Sequence, residues 1–178
     1  FHERTLEGFR DLWRTNLGGL DGTQPLEQVL ITGTQTGPEG SLLARAEAGG
    51  YRVITMPSLI RAVRPFTDWR CARELDAVLR EIEPDIVHTH SSKAGILGRR
   101  VAWALGVPAV VHTIHGLAAN GGVPAWRRWM YHIAERRAAR WCHRILAVAQ
   151  DMIDQAVAAG YADVDKFDLV YSGMETAP

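Results

Sequence analysis

The chain has 178 residues, of which 47% are hydrophobic and 22% charged, and its 20 basic residues balance 20 acidic ones. This composition indicates one folded domain, excludes a disordered chain, and offers no global electrostatic basis for nucleic-acid binding. Cys71 and Cys142 lie far apart without CxxC spacing, which argues against a disulfide framework or zinc knuckle and indicates a reducing, cytoplasmic compartment. No apolar run reaches the roughly 20 residues that span a bilayer, so we expect neither a membrane span nor an export signal.

Residues 1–26 do not begin with a predicted strand, unlike the βαβ units that follow. They contain a helix-like stretch with Leu6, Phe9 and Trp13 on one side, but no apolar strand precedes it, so we expect a truncated or divergent segment. From residue 27 the chain alternates short β-branched runs with helical patterns, which is typical of βαβ units. The apolar character of these runs predicts a Rossmann-like, doubly wound parallel sheet. Its six predicted strands are residues 27–33, 51–56, 85–90, 109–114, 144–149 and 167–171.

Helical patterns lie between the predicted strands. The first ends at Gly49 and Gly50, and a second carries an apolar stripe that stops before Pro84. A third helix follows residue 92, where Ser91 or Ser92 is a suitable N-cap. We therefore expect helix N-termini directly after strand ends, where unsatisfied N–H groups can bind ligands.

Four histidines lie at the ends of two neighbouring predicted strands. His88 and His90 share one strand face, while His112 and His115 span the end of the next strand. A metal site is one interpretation, but no supporting aspartate or glutamate motif accompanies the histidines, so we predict none. Hydrogen-bonded histidines inside a polar crevice are the alternative for His88 and His112. For His115, next to Gly116, we predict a functional role, since it can hydrogen-bond sugar hydroxyls.

The polar residues after the first histidine pair also have two interpretations. Ser91 and Ser92 are either helix caps or ligand contacts. Lys93 opposes the helix dipole, and an anion or carboxylate at the same end would offset this placement. Arg61 and Arg64 either bind an anionic acceptor or are simple surface residues.

A basic amphipathic helix is predicted near residues 124–144. It carries Trp126, Trp129, Met130 and Ile133 as a stripe among several arginines. We expect the stripe to contact the core and the arginines to face solvent. Peripheral contact with an anionic membrane is the alternative.

Several segments together resemble family 4 retaining glycosyltransferases, in particular those that build bacterial capsular and exopolysaccharides. They are "MPSLIRAVRPFTD", "PDIVHTHSSKAGILGRRVAWALGVPAVVHTIHG", "RILAVAQ" and "KFDLVYSGME". The resemblance implies the GT-B architecture, in which two Rossmann-like domains face each other across a cleft. It also implies three regions: a divergent or truncated segment at 1–26, the N-terminal domain at 27–172, and the start of a hinge at 173–178.

The resemblance further implies the roles of individual residues. His115 would contact the transferring sugar as the catalytic residue, while His90, Ser91, Ser92, Lys93, Gly116, Arg61 and Arg64 would contact substrate. The donor would be a nucleotide sugar held mainly by the C-terminal domain, and the acceptor a glycan or a lipid-linked sugar. Neither a cofactor nor a metal is expected.

Two departures from the family pattern affect the expected activity. The first strand and its glycine-rich loop are missing, and the paired glutamates of the donor domain have no counterpart here. We therefore expect the chain by itself to be inactive. The alternatives are a non-catalytic fragment that binds a glycan or acceptor, or another GT-B enzyme such as a sugar-nucleotide epimerase or a phosphorylase.

Overall fold

The computed structural model describes residues 27–34, 43–117 and 124–171. Predictions for residues 1–26 and 173–178 lie outside the described residues, and the proposed domain boundaries stay predictions. The chain divides into two compact units between Ile60 and Arg61, each considered by itself below. No helix in the described ranges combines the length and apolar character needed to cross a bilayer.

Six strands form, each inside or at one of the predicted positions. They are β1 (Val29–Gly33), β2 (Arg52–Met56), β3 (Ile86–His90), β4 (Ala109–Ile114), β5 (Arg144–Ala147) and β6 (Phe167–Leu169). All described pairings are parallel, as expected for strands joined by helices. The α/β fold with parallel strands is therefore confirmed.

Five α-helices alternate with the strands. They are α1 (Leu43–Ala48), α2 (Pro65–Ile82), α3 (Ser92–Ala104), α4 (Ala125–Ala138) and α5 (Gln150–Ala158). The helix α2 begins with proline, which needs no N–H partner in the first turn, and ends where Glu83 adopts a left-handed conformation just before Pro84.

The described strands form two sheets rather than the single sheet expected from the sequence. In the first unit β1 pairs with β2, and in the second unit the order is β3-β4-β5-β6. The strand that was expected to be missing falls on residues 1–26, outside the described residues. In the second unit, Val110, Ile145 and Ala147 are almost fully buried, so the core lies along the two inner strands.

The helix α3 packs unusually close to β3 and β4. A Cβ atom added at Gly95 would lie 2.5 Å from His112 Cε1, and one added at Gly98 would lie 2.8 Å from Thr89 Cγ2. Both positions therefore exclude any side chain larger than hydrogen unless the helix moves away from the sheet. The two glycines fix the distance between the helix and the strand-end histidines.

Helix direction places three N-termini at one edge of the second unit. The helices α3 and α4 each join parallel strands of the second unit and so run antiparallel to them, which brings their starts to the carboxyl edge. The start of α2 lies at the same edge, because Lys93 in the first turn of α3 contacts Asp68 and the Ala62 carbonyl. Both α2 and α4 pack against α3.

The apolar stripe of α4 does not contact the core, so this expectation was wrong. Trp126, Trp129 and Met130 are each more than half exposed. The buried side of the helix instead contains Ala138 and the partly buried Glu135, because Glu135 pairs with Arg99 on α3. Long-range pairing, rather than the apolar periodicity, decides which face of α4 turns inward.

Candidate functional site

Three histidines gather on one face at the carboxyl edge of β3 and β4. His88 Nε2 lies 2.6 Å from Thr113 Oγ1, and His90 Nδ1 lies 3.0 Å from His115 Nε2. The His88 and His90 ring centroids are 4.4 Å apart, and those of His90 and His115 are 5.3 Å apart. His115 follows the last residue of β4 and is exposed, so it is the member of the group that a ligand reaches first.

His112 lies on the opposite face of the sheet from this group. Side chains alternate along a strand, so His112 and His115, three positions apart, point to different sides. Thr89 Oγ1 donates to the Val111 carbonyl at 3.2 Å and lies 3.0 Å from His112 Nδ1. The hydroxyl proton is thus committed, and His112 donates through Nδ1–H. His112 is almost fully buried, as the hydrogen-bonded alternative predicted.

Burial keeps the histidine group neutral. Desolvation lowers the pKa of His88 to about 2, and the neighbouring histidines add to this effect. Desolvation and then His115 lower the pKa of His90 to about 4. Neighbouring protein atoms also partly desolvate the His115 ring and lower its pKa. Near neutral pH, the His90–His115 contact is therefore a hydrogen bond between two neutral rings, in which one nitrogen donates and the other accepts.

These shifts predict that stability falls in acid. The folded-state pKa values of His88 and His90 lie below the ordinary value of 6.5, so the unfolded chain binds more protons once the pH drops below 6.5. Their contribution is complete above that value and is lost as the pH falls toward about 4 for His90 and toward about 2 for His88. We expect urea unfolding at about pH 5 to show a loss on the order of 1 kcal/mol per histidine relative to about pH 7.5.

The matched control is the double variant His88→Asn/His90→Asn. It removes both buried titrating groups but keeps polar side chains, so its free energy of unfolding should change less between the two pH values. Equal pH dependence of the variant and the original chain would assign the acid sensitivity to other groups.

The strand-to-helix junction at Ser91 is strained. Ser91 occupies the N-cap position of α3 with φ 60° and ψ 161°, a region that glycine adopts far more readily than other residues. Its side chain makes no capping hydrogen bond, so the prediction of a serine cap was wrong in that respect. The Ser91 hydroxyl lies at the carboxyl edge beside Ser92. It is exposed and makes no capping hydrogen bond.

Lys93 is held by groups of the protein itself. Its ammonium group pairs with the Asp68 carboxylate and donates to the Ala62 carbonyl, and both charged side chains are less than one fifth exposed. Asp68 supplies the carboxylate that offsets a lysine at a helix N-terminus. Lys93 thereby clamps the start of α2 to the start of α3, and its contact with substrate stays a prediction.

Arg61 and Arg64 are exposed on either side of the Ala62 carbonyl that accepts from Lys93. The clamp therefore places these arginines beside the first turn of α3. Their binding of substrate stays a prediction.

A narrow cleft of about 20 Å³ lies beside the exposed histidine. Its lining includes the predicted residues Ser91, Ser92, His115 and Gly116, together with His112, Thr113, Ile114, Leu117, Glu135 and Tyr161. Small-molecule sites usually enclose about 300 Å³ or more, so this cleft is too small to enclose a substrate by itself. Sequence reasoning missed Glu135 and Tyr161, which lie far along the chain from the histidines and follow no motif.

Glu135 is fixed by a buried ion pair. Arg99 Nη2 lies 2.7 Å from Glu135 Oε2, and Arg99 Nε donates to the Gly95 carbonyl at 2.9 Å. The Arg99 side chain is only 1% exposed and the Glu135 side chain 13%. Burial, followed by the Arg99 charge, lowers the pKa of His112 well below its ordinary range. The pair thus links α3, α4 and the base of the cleft.

Tyr161, which lies between α5 and β6 in the chain, also lines the cleft. Its hydroxyl lies 3.0 Å from His132 Nδ1. Burial and the nearby Glu135 carboxylate raise the pKa of Tyr161 to about 12, so the phenol stays protonated and can donate to His132.

A larger open cavity of about 460 Å³ shares Tyr161 with the cleft and extends beside Arg136, Arg140 and Lys166. These residues come near the C-terminus of α4 and just before β6, which is the amino edge of the sheet. Ligands of open α/β sheets bind at the carboxyl edge, so we assign the functional site to the smaller cleft.

Among the described residues, no group of three or more His, Cys, Asp or Glu side chains is arranged to hold a metal ion. His88 and His90 instead contact Thr113 and His115. The expectation that no metal takes part stays a prediction.

Known proteins resemble this chain in sequence and in fold. The chain matches the glycosyl transferase 4-like domain over residues 24–173. It is 33% identical over 124 residues to the UDP-Gal:alpha-D-GlcNAc-diphosphoundecaprenol alpha-1,3-galactosyltransferase of Escherichia coli, a match that covers 70% of this chain and 32% of the relative. The chain thus spans about a third of the length of this relative.

Solved structures show the same fold. Anabaena Alr3699/HepE in complex with UDP and glucose aligns with a TM-score of 0.59 and 13% identity, covering 83% of this chain and 45% of that one. The UDP-GlcNAc 2-epimerase of Methanocaldococcus jannaschii aligns with a TM-score of 0.53 and 14% identity, covering 82% and 45%. The chain therefore belongs to the glycosyl transferase 4-like domain family and forms an N-terminal, Rossmann-like domain of the GT-B fold.

Proposed function

We propose that the carboxyl edge of the second unit is the acceptor side of a retaining glycosyltransferase active site. The complete enzyme would move a sugar from a nucleotide-sugar donor to a lipid-linked or glycan acceptor in the synthesis of a surface polysaccharide. The donor would be held mainly by a further domain. In this proposal the enzyme uses no metal and no cofactor, and it works on the cytoplasmic side of the membrane.

The observation that carries the proposal is the exposed, neutral His115 bonded to His90. A neutral imidazole that shares one nitrogen with a buried partner can present its other nitrogen to a sugar hydroxyl. Such a fixed dipole stabilises the charge that builds up as the bond between sugar and phosphate breaks, without reorganising during the reaction. His90 acts here as a positioning residue, and Ser91, Ser92 and Gly116 shape the wall around the sugar.

The acceptor chemistry is inferred from the Escherichia coli relative, whose name specifies a sugar linked through a diphosphate to undecaprenol. A diphosphate needs cationic partners, and exposed Arg61 and Arg64 lie beside the clamped start of α3. Guanidinium groups bind phosphate oxygens through paired hydrogen bonds. We therefore assign the acceptor diphosphate to Arg61 and Arg64, with Lys93 holding the segment in place through Asp68.

Binding of a short-chain analogue, N-acetylglucosamine diphosphate carrying a short prenyl group, tests this assignment. We expect the chain to bind the analogue in calorimetric titration, and Arg61→Gln/Arg64→Gln to weaken binding by about tenfold or more through the loss of two charge-assisted contacts. The control is Arg80→Gln, an exposed arginine at the far end of α2. Equal affinity of the double variant and the original chain would contradict the diphosphate assignment.

A non-catalytic acceptor-binding domain is the second candidate function, and the same preparation distinguishes it. Transfer from a nucleotide sugar is measured with this chain alone and with the complete enzyme. Binding without transfer in both would favour the non-catalytic module, whereas turnover only in the complete enzyme supports the proposal. An epimerase, suggested by fold alone, would convert the nucleotide sugar without any acceptor.

A further inference from the structure

Large apolar side chains are exposed along one face of α4. Trp126 is 59% exposed, Trp129 65%, Met130 51% and Ile133 40%. Their spacing of three and four residues places all four on one side of the helix. An isolated exposed apolar residue needs no explanation, but a contiguous group of this size marks an interaction surface.

A second exposed apolar group precedes and begins α2. Val63 is 67% exposed, Phe66 89% and Trp69 65%. Together the two groups contain seven of the ten exposed large apolar side chains within the described part of the chain. Both groups belong to the second unit, and both lie at helix starts on its carboxyl edge, on the two sides of α3.

Arginines are concentrated in the same two segments. Residues 61–73 and 124–133 contain six arginines and a single aspartate, although the whole chain has no net charge, and one of the six, Arg70, pairs with Glu74 just beyond the first segment. The aspartate is Asp68, which Lys93 already engages. Arg73 lies over the Trp69 ring and Arg127 over the Trp126 ring, at 5.7 and 5.2 Å from the centroids. We call these two segments the arginine–aromatic surface.

We propose that the arginine–aromatic surface binds the face of an anionic phospholipid bilayer. Tryptophan, phenylalanine and methionine side chains enter the boundary between headgroups and acyl chains, where amphipathic rings are stable. The arginines remain at the level of the lipid phosphates, with each cation near an anionic surface contributing about 1 kcal/mol.

Charge favours a bilayer over a second copy of the chain. A symmetric dimer through this surface would place the same patch on both subunits and bring the arginines of one subunit, most of them in no ion pair with a carboxylate of their own segment, against those of the other. Like charges across an interface oppose association, whereas anionic headgroups complement them. The mixture of exposed indole rings with arginine also matches the composition of interfacial helices.

Bilayer binding would orient the candidate active site. The cleft beside His115 opens at the same edge as the start of α4, so docking would hold it near the level of the headgroups. This consequence rests on the proposed function, because it matters most for an acceptor carried by a lipid. The binding itself does not rest on it and is measured without nucleotide sugar or acceptor.

Vesicle co-sedimentation of the full chain tests the proposal. Vesicles of phosphatidylcholine alone are compared with vesicles that also contain phosphatidylglycerol. We expect clear binding only to the anionic vesicles, and Arg127→Gln/Arg128→Gln to weaken it by about tenfold or more. We expect Trp126→Ala/Trp129→Ala to weaken it by at least about tenfold through lost apolar burial.

Matched controls lie at the other end of the second unit. Trp103→Ala removes an exposed tryptophan at the end of α3, and Arg80→Gln/Arg100→Gln removes two exposed arginines, so both should retain vesicle binding. Circular dichroism shows whether each variant is folded. Equal binding to both kinds of vesicle, or equal loss in test and control variants, would overturn the proposal. So would light scattering showing that Trp126 and Trp129 instead hold a dimer that ignores lipid.

Discussion

Replacing His115 with alanine in the enzyme that contains this chain is expected to lower turnover by about a hundredfold. Removing one fixed hydrogen-bond donor or polar group that stabilises developing charge typically costs this much or more. The loss should appear mainly in kcat rather than KM, because the group acts on the charge that builds up in the transition state. Steady-state assays with the nucleotide sugar and a lipid-linked acceptor measure both constants.

The conservative variant His115→Gln separates chemistry from structure. Glutamine keeps a donor and an acceptor at this exposed position, so it should recover part of the turnover while folding equally well. If His115→Ala turned over within a few fold of the original enzyme, the sugar contact would have to be assigned to another group in the cleft, with Glu135 and Tyr161 the next to test.

Arg99→Met is expected to destabilise the chain by about 3 to 5 kcal/mol, because it leaves the partly buried Glu135 carboxylate without its partner. It also removes the Arg99 Nε–H group, which donates a hydrogen bond to the Gly95 carbonyl in α3. Urea unfolding, monitored by circular dichroism, measures the change in free energy. A single variant within about 1 kcal/mol of the original chain would mean that water or another cation replaces the guanidinium.

The double variant Arg99→Met/Glu135→Leu is the control for this effect. Replacing both members of a buried ion pair by apolar residues of similar size is often close to neutral, so most of the lost stability should return. Turnover of the enzyme carrying the same double variant then measures whether Glu135, which lines the cleft beside His115, is needed for transfer apart from its ion pair. Lost turnover at near-original stability would assign Glu135 a role in the cleft, whereas retained turnover would limit the pair to holding α3 and α4 together.

The exposed surface of α4 changes the interpretation of this helix. Its apolar stripe was expected to contact the core, but the helix is held by Glu135 and Ala138 on the other side. The tryptophans and arginines therefore lie together in solvent instead of on opposite faces. This arrangement makes membrane contact the stronger interpretation for this part of the chain.

The position of the candidate site could be predicted because its signals are local. Strand and helix periodicity repeat every few residues, so all six strands lie within two residues of their predicted bounds. Parallel strands that alternate with helices share a carboxyl edge, and this rule alone locates His90, Ser91 and His115 at that edge. The alternation of side chains along β4 could also have separated His112 from His115.

Long-range pairing decided the remaining features of the site. Asp68 meets Lys93 across 25 positions and Glu135 meets Arg99 across 36, and no local pattern encodes such pairs. Likewise, the close approach of Gly95 to His112 depends on how α3 rests on the sheet. The sequence by itself determined the fold class and the edge that carries the site, because backbone periodicity is a short-range property. Only the tertiary structure decided which face of α4 is buried and which charges are neutralised internally, because those depend on packing between distant segments.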